Sequence, residues 1–158
     1  MVEPLPDVPK FLIKDLKCCR KLEDDTWEYN IAVHVETEEV KKTVNFNLVY
    51  IQGFIDQKPC DEVMILRDCT GRVKLTNCII ANKGSGKEIV SGAYCSVIGI
   101  FVRETGLPEI SAAKITVIQS PDIDKHLYYK YWPCEVRDYQ LFFLGIVKPL
   151  IVAEKQSE

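Results

Sequence analysis

The stretch "VYIQGFIDQKPCDEVMILRDCTGRVKL", residues 49–75, decides the fold. Its first part belongs to a long strand-like run, "TVNFNLVYIQGFIDQ" (43–57), with Gly53 where a barrel strand commonly coils or bulges. "KPCD" (58–61) is a short turn. "EVMILRD" and "RVKLTNCII" then form a hairpin over 62–80, about the turn Asp68-Cys69-Thr70-Gly71, with glycine where positive φ is easiest.

Working outward, "AYCSVIGIFVRET" (93–105) is a fourth strand with a mid-strand Gly99. "GLP" (106–108) is a turn, and "EISAAKITVIQ" (109–119) is a fifth strand. Five strands, a long third connection, and glycines inside the first and fourth strands predict a small closed barrel. The OB-fold, a five-stranded Greek-key barrel, fits best. Upstream, "WEYNIAVHV" (27–35) alternates Trp27, Tyr29, Ile31, Val33 and Val35 as a half-buried strand should. "TEEVKK" (37–42) reads as a charged connection, with His34 and its neighbouring glutamates in solvent. "PKFLIKDLKCC" (9–19) groups Phe11 or Leu12 with Leu16 and Cys19, a short helix with Asp7 and Pro9 as start signals. Past Ser120-Pro121 the pattern turns helical over about 122–147. The expected class is all-β with terminal helices: an extended tail over 1–10, one OB-fold domain over 11–147 including the long C-terminal helix, and a tail over 148–158.

Composition narrows the function. At 158 residues, with 47% hydrophobic and 27% charged residues, the chain is long enough for one well-cored domain. A net charge of -3 gives no global pull toward nucleic acid or anionic membrane. "ANKGSGKEIVSG" (81–92) resembles a phosphate cradle at first sight. It fails the spacing, because Ala81 stands where the first glycine of a P-loop belongs and Glu88 where the hydroxyl belongs. It reads instead as the connection between barrel strands three and four. Seven cysteines (18, 19, 60, 69, 78, 95, 134) contain no C-x-x-C pair, and His34 and His126 lack zinc-site spacing to any of them. Reduced thiols in a cytosolic or nuclear protein follow, with no metal and no cofactor. Cys69, Cys78 and Cys95 fall in apparent strands as small apolar fillers. "MVEPLPDVPK" has no apolar signal core, and "LFFLGIVKPLIVA" (141–153) is shorter than the roughly 20 residues of a membrane span. No nucleophile, base and acid are placed together by motif, so an enzyme is not expected. Beside Asp68, Cys69 is a poor nucleophile.

An OB barrel suggests single-stranded nucleic acid, which needs aromatic residues on strands two and three and a basic groove. Between Phe54 and Tyr94 there is no Phe, Tyr or Trp. Over the same span Lys58, Arg67, Arg72, Lys74, Lys83 and Lys87 face Asp56, Asp61, Glu62, Asp68 and Glu88, leaving one positive charge. Arg72 and Lys74 share a strand face, either to touch phosphate or simply to be solvated.

The aromatics are elsewhere: Tyr128, Tyr129, Tyr131, Trp132, Tyr139, Phe142 and Phe143. At helical spacing Tyr128, Trp132, Val136, Tyr139, Phe143 and Ile146 share one side, and Leu127, Tyr131, Cys134 and Leu141 another. Two stripes imply two partners, the chain's own barrel and a second subunit; one broad intramolecular face is the plainer alternative. Pro133 predicts a kink or break, with a second helix from Pro133 to about Gly145.

"VYIQGFI", "ILRDCTGRVKL", "SGAYCSVIGIFV", "LPEISAAKITVIQSPD" and "YWPCEVRDY", in this order, resemble the family of RecQ-mediated genome instability protein 2 from residue 48 to about 143. "PKFLIKDL" is a weaker match. The resemblance implies a nuclear, non-enzymatic OB-fold subunit that pairs directly with a larger OB-fold protein. The pair would serve in the complex of a Bloom-type RecQ helicase and topoisomerase III that dissolves double Holliday junctions, with weak or indirect nucleic-acid contact. By matching position it makes Lys114, Trp132 and Lys10 docking residues for a partner or peptide. Together with the helix stripe, the expected partner-binding set is Lys10, Lys114, Tyr128, Trp132, Val136, Tyr139 and Phe143. The rival expectation is a single-strand-binding subunit of a replication protein A-like or telomere-capping complex.

Overall fold

The computed structural model describes residues 8–84, 87–118 and 123–145. Residues 1–7 of the expected tail at 1–10, the expected tail at 148–158, the expected helix end at 146–147 and the middle of the glycine-bearing loop lie outside the described residues. In chain order the elements are α1 (Ile13–Leu16), β1 (Arg20–Lys21), β2 (Trp27–Val35), β3 (Glu38–Phe46), β4 (Leu48–Gln57), β5 (Met64–Asp68), β6 (Gly71–Thr76), α2 (Cys78–Ala81), β7 (Tyr94–Arg103), β8 (Glu109–Val117) and α3 (Lys125–Phe143).

Strands β4, β5, β6, β8 and β7 close in that order into a barrel. The closing pair β6 and β8 is parallel, Lys74 opposite Glu109, and the other pairs are antiparallel. Two glycines make the closure sterically possible. A Cβ on Gly53 would collide with the Arg67 carbonyl, and one on Gly99 would come within 2.5 Å of the Ser111 carbonyl. The interior is aliphatic: Val49, Ile51, Ile55, Leu66, Val73, Leu75, Val97, Ile110 and Ile115 are all buried.

Outside the barrel, β1, β2 and β3 form a small antiparallel sheet. Its base is clamped to the barrel by Trp27, whose indole Nε1 donates to the Phe101 carbonyl at 2.9 Å. Here the structure corrects the sequence. Glu38–Phe46 is a nine-residue strand and not a charged connection, because the hairpin projects into solvent and only Val44 and Phe46 near its base are buried. The long run over 43–57 is accordingly two strands that separate at Asn47. The hairpin strand expected to reach residue 80 stops at Thr76. Asn77 takes a left-handed φ of 61° and the chain turns into α2, carrying buried Cys78 and leaving Ile79 and Ile80 exposed. Gly71 keeps a negative φ. Its turn is held instead by Asp68, which accepts from Thr70 N (2.7 Å), Thr70 Oγ1 (2.6 Å) and Gly71 N (3.1 Å). Of the three cysteines placed in strands, only Cys95 lies in one; Cys69 is exposed in the β5–β6 turn.

The N-terminal segment straps the barrel. Tyr50 N donates to Pro9 O at 2.9 Å and Phe11 N to Tyr50 O at 3.1 Å, so residues 9–11 run as an extra strand beside β4. Then α1 begins, with its Ile13 N–H capped by Asp68 Oδ2 at 2.8 Å.

Candidate partner interface on the terminal helix

Helix α3 starts where Asp124 caps it, accepting from His126 N at 2.9 Å. It ends at Phe143, and Gly145 turns the chain with φ +79°. It does not break at Pro133. Proline's fixed φ fits a helix, and what it removes is one bond to the Tyr129 carbonyl. The segments on both sides of Pro133 are pinned, since Trp132 and Val136 are each only 1% exposed. They pack with Leu12 of the strap and Tyr50 of β4, the Tyr50 and Trp132 rings 5.6 Å apart.

The rest of that side follows. Tyr128 stacks on Tyr94 at 5.8 Å, and Tyr129 lies 5.2 Å from Phe54. Phe143 is stacked with Tyr139 at 6.1 Å, under the Lys42 ammonium at 4.6 Å. The stripe of Tyr128, Trp132, Val136, Tyr139 and Phe143 is therefore the side turned to the chain's own barrel and hairpin. Of the second stripe, Leu141 is half-buried and the other three residues face solvent. Tyr131 is 55% exposed and Leu127 and Cys134 are exposed with it. Phe142, 82% exposed, joins them, although the sequence reading assigned it to neither stripe. Its signal was the i, i+4, i+11 spacing of Tyr131, Glu135 and Phe142. A groove of about 330 Å³ opens beside it, lined by Lys10, Glu135, Asp138, Tyr139 and Phe142.

The barrel register brings the remaining residues to the same side. Lys10 bridges to Tyr50, Tyr50 pairs with Ile98, and Ile98 pairs with Lys114. These four make one cross-strand row on the outer face, with Trp132 seated on Tyr50. Lys10 reaches Glu135 at 3.9 Å, and exposed Lys114 flanks Ile98, Ile100 and Val102, the last two exposed. Arg72 and Lys74 are placed differently. Each faces a carboxylate, Asp56 at 3.6 Å and Glu109 at 3.8 Å, so their charge is largely matched within the chain.

Three of the thiols are poor nucleophiles. Burial pushes Cys78 up to about 11 and Cys95 up to about 12, and raises Cys69, with Asp68 adding to it. Among the described residues no group of His, Cys, Asp and Glu could hold a metal ion, and no helix is long and apolar enough to cross a membrane.

A family model described as RecQ-mediated genome instability protein 2 matches residues 8–140. No curated protein sequence matches the chain. Among solved structures, the chain is similar to one in a replication protein A heterotrimer bound to single-stranded DNA. The identity is 12% over 90% of this chain and 100% of that one, with a TM-score of 0.54. It is also similar to a chain of the S. pombe Stn1–Ten1 complex (10% identity, 85% and 96% covered, TM-score 0.49) and to the telomere capping protein Ten1 from S. pombe (10%, 83% and 99%, 0.48). At its identity the likeness to the replication protein A chain is one of fold.

Proposed function

The chain belongs to the RecQ-mediated genome instability protein 2 family, and on that premise we propose that it is a non-catalytic scaffold whose helix α3 joins it to a larger OB-fold subunit. The pair serves a nuclear complex of a Bloom-type RecQ helicase and topoisomerase III, and supports dissolution of double Holliday junctions. One observation carries this reading: α3 is docked on one side through Trp132 and Val136 and still presents Leu127, Tyr131, Cys134 and Phe142 on the other. Large aromatics of this kind anchor interfaces, and fully burying a Phe-sized side chain contributes about 1.5–3 kcal/mol. Part of that gain is offset by lost freedom on association.

In this reading Tyr128, Trp132, Val136, Tyr139 and Phe143 serve the interface by fixing the helix on the barrel. Lys10 and Lys114, at either end of the outer row, hold an acidic or peptide element of a partner. The test is copurification on tagged chain, wild type beside the triple variant Leu127→Ala/Tyr131→Ala/Phe142→Ala. Topoisomerase III and an OB-fold protein should accompany the wild type and be lost from the variant. If the variant keeps every partner, the interface lies on the barrel and the reading fails.

A further inference from the structure

The seam beneath α3 has the wrong chemistry for simple helix packing. Along β4 the inward residues are the aliphatic Val49, Ile51 and Ile55. The alternating outward ones are Tyr50, Gln52, Phe54 and Asp56, and the first three lie under the helix. Two of them are joined by hydrogen bonds that reach β7: Tyr94 Oη donates to Gln52 Oε1 at 3.1 Å, and Gln52 Nε2 to Tyr50 Oη at 3.2 Å. Register then puts Tyr94, Phe54, Arg67 and Arg72 in one row across β7, β4, β5 and β6. Ring faces, an amide and guanidinium groups side by side are what bases and phosphates require. The face also includes the second and third barrel strands, those OB-folds use for oligonucleotides.

The geometry points to a latent site for single-stranded nucleic acid on this face, occupied in cis by the first turns of α3. The helix presents rings where a strand would present bases. Tyr129 lies 5.2 Å and His126 5.3 Å from Phe54, and Tyr128 lies 5.8 Å from Tyr94. Arg67 sits 5.5 Å from the Tyr129 ring and 5.7 Å from Phe54, and donates to the Tyr129 hydroxyl at 3.2 Å. Beside them is an opening of about 310 Å³ lined by Phe54, Asp56, Arg67, Lys125 and His126, among others. Two cations, Arg67 and Lys125, line it with the single carboxylate of Asp56, which faces Arg67 and the neighbouring Arg72, each at 3.6 Å.

The cap is lightly held. No residue of α3 before Trp132 is buried. Pro133 follows Trp132 directly and removes the backbone bond that would tie the two halves of the helix at Tyr129. Residues 125–131 can therefore swing at the Trp132–Pro133 step while Trp132 and Val136 stay docked. This site is separate from the outer flank proposed for the partner subunit, and its test uses no partner.

Fluorescence anisotropy with a labelled oligothymidylate about 15 nucleotides long decides it. The full chain should bind weakly, and His126→Ala/Tyr129→Ala, which uncaps Phe54, should bind about tenfold tighter or more. Adding Arg67→Glu should abolish the gain, and a duplex of equal length should compete poorly. An uncapped variant that is folded but binds no better than wild type overturns the site. So does a gain that survives Arg67→Glu, or one that a duplex competes for equally. Should the double variant not fold, Tyr129→Phe decides, since it removes only the hydroxyl bond to Arg67: tighter binding supports the latent site and unchanged binding refutes it.

Discussion

Two segments clothe the outside of the barrel, and they are fastened in different ways. The N-terminal strap with α1 is latched by directional polar bonds. Its backbone pairs with Tyr50, Ile13 N is capped by Asp68, Lys14 N bonds Thr70 Oγ1 at 3.0 Å, and Asp15 accepts from both Leu12 N and the Tyr29 hydroxyl. It also sends Phe11, Ile13 and Leu16, all fully buried, into the main core. Helix α3 sends nothing fully buried there. Its Trp132 and Val136 form a small cluster of their own with Leu12, and its other contacts to the barrel are mostly ring on ring. Polar latches leave buried partners unsatisfied when broken, whereas ring contacts are held mainly by the area they bury. The strap is thus a permanent part of the fold, and the helix is the part that can answer to a partner.

The largest expected effect is at the helix. Trp132→Ala should cost about 3–5 kcal/mol, read as a shift in urea midpoint. Hydrogen exchange should then show residues 125–143 losing protection while residues 11–16 keep it. Joint loss would mean the two segments unfold as one and would break the contrast. Pro133→Ala acts the other way. It restores a backbone donor for Tyr129 and should stabilise α3 by up to about 3 kcal/mol, seen as slower exchange in its first turns. Asp68→Ala attacks the strap, leaving Ile13 N–H unpaired in the interior at a cost of about 1–3 kcal/mol in the same denaturation measurement.

A smaller effect lies in pH. Burial above all raises the Asp15 carboxyl from the ordinary 3.8, so the folded chain holds this proton more tightly than the unfolded one. The resulting stabilisation is fully present below the unfolded value and lost as pH rises through the folded one. Wild type should therefore lose ground to Asp15→Asn as pH climbs through that window, as urea midpoints across the acid range would record. A gap that does not change with pH would remove Asp15 from the account of the strap.

The barrel was legible because closure leaves marks in sequence. Gly53 and Gly99 stand where a Cβ would strike a neighbouring backbone, and the hairpin turn carries the Asp68 that ties it. The hairpin strand β3 was not legible, because a strand that projects into solvent has charges on both faces and no alternation to betray it. The two stripes of α3 were visible from spacing alone. Which stripe met the barrel was not, since Tyr and Phe suit either side, and only the partners Leu12 and Tyr50, distant in sequence, decide it. Pro133 misled for a related reason: a local rule about one hydrogen bond was outweighed by burial of Trp132 and Val136 around it. The row of Lys10, Tyr50, Ile98 and Lys114 depends on register between segments far apart in sequence, which no local pattern reports.

The most direct test of the account is the affinity of the purified chain for the larger OB-fold subunit proposed as its partner, wild type against Tyr131→Ala/Phe142→Ala. Both side chains are exposed, so the melting temperature should not move. As paired interface anchors they should together cost about a hundredfold in affinity or more. A folded double variant that binds as tightly as wild type would contradict the claim that the outer flank of α3 is where this subunit is joined.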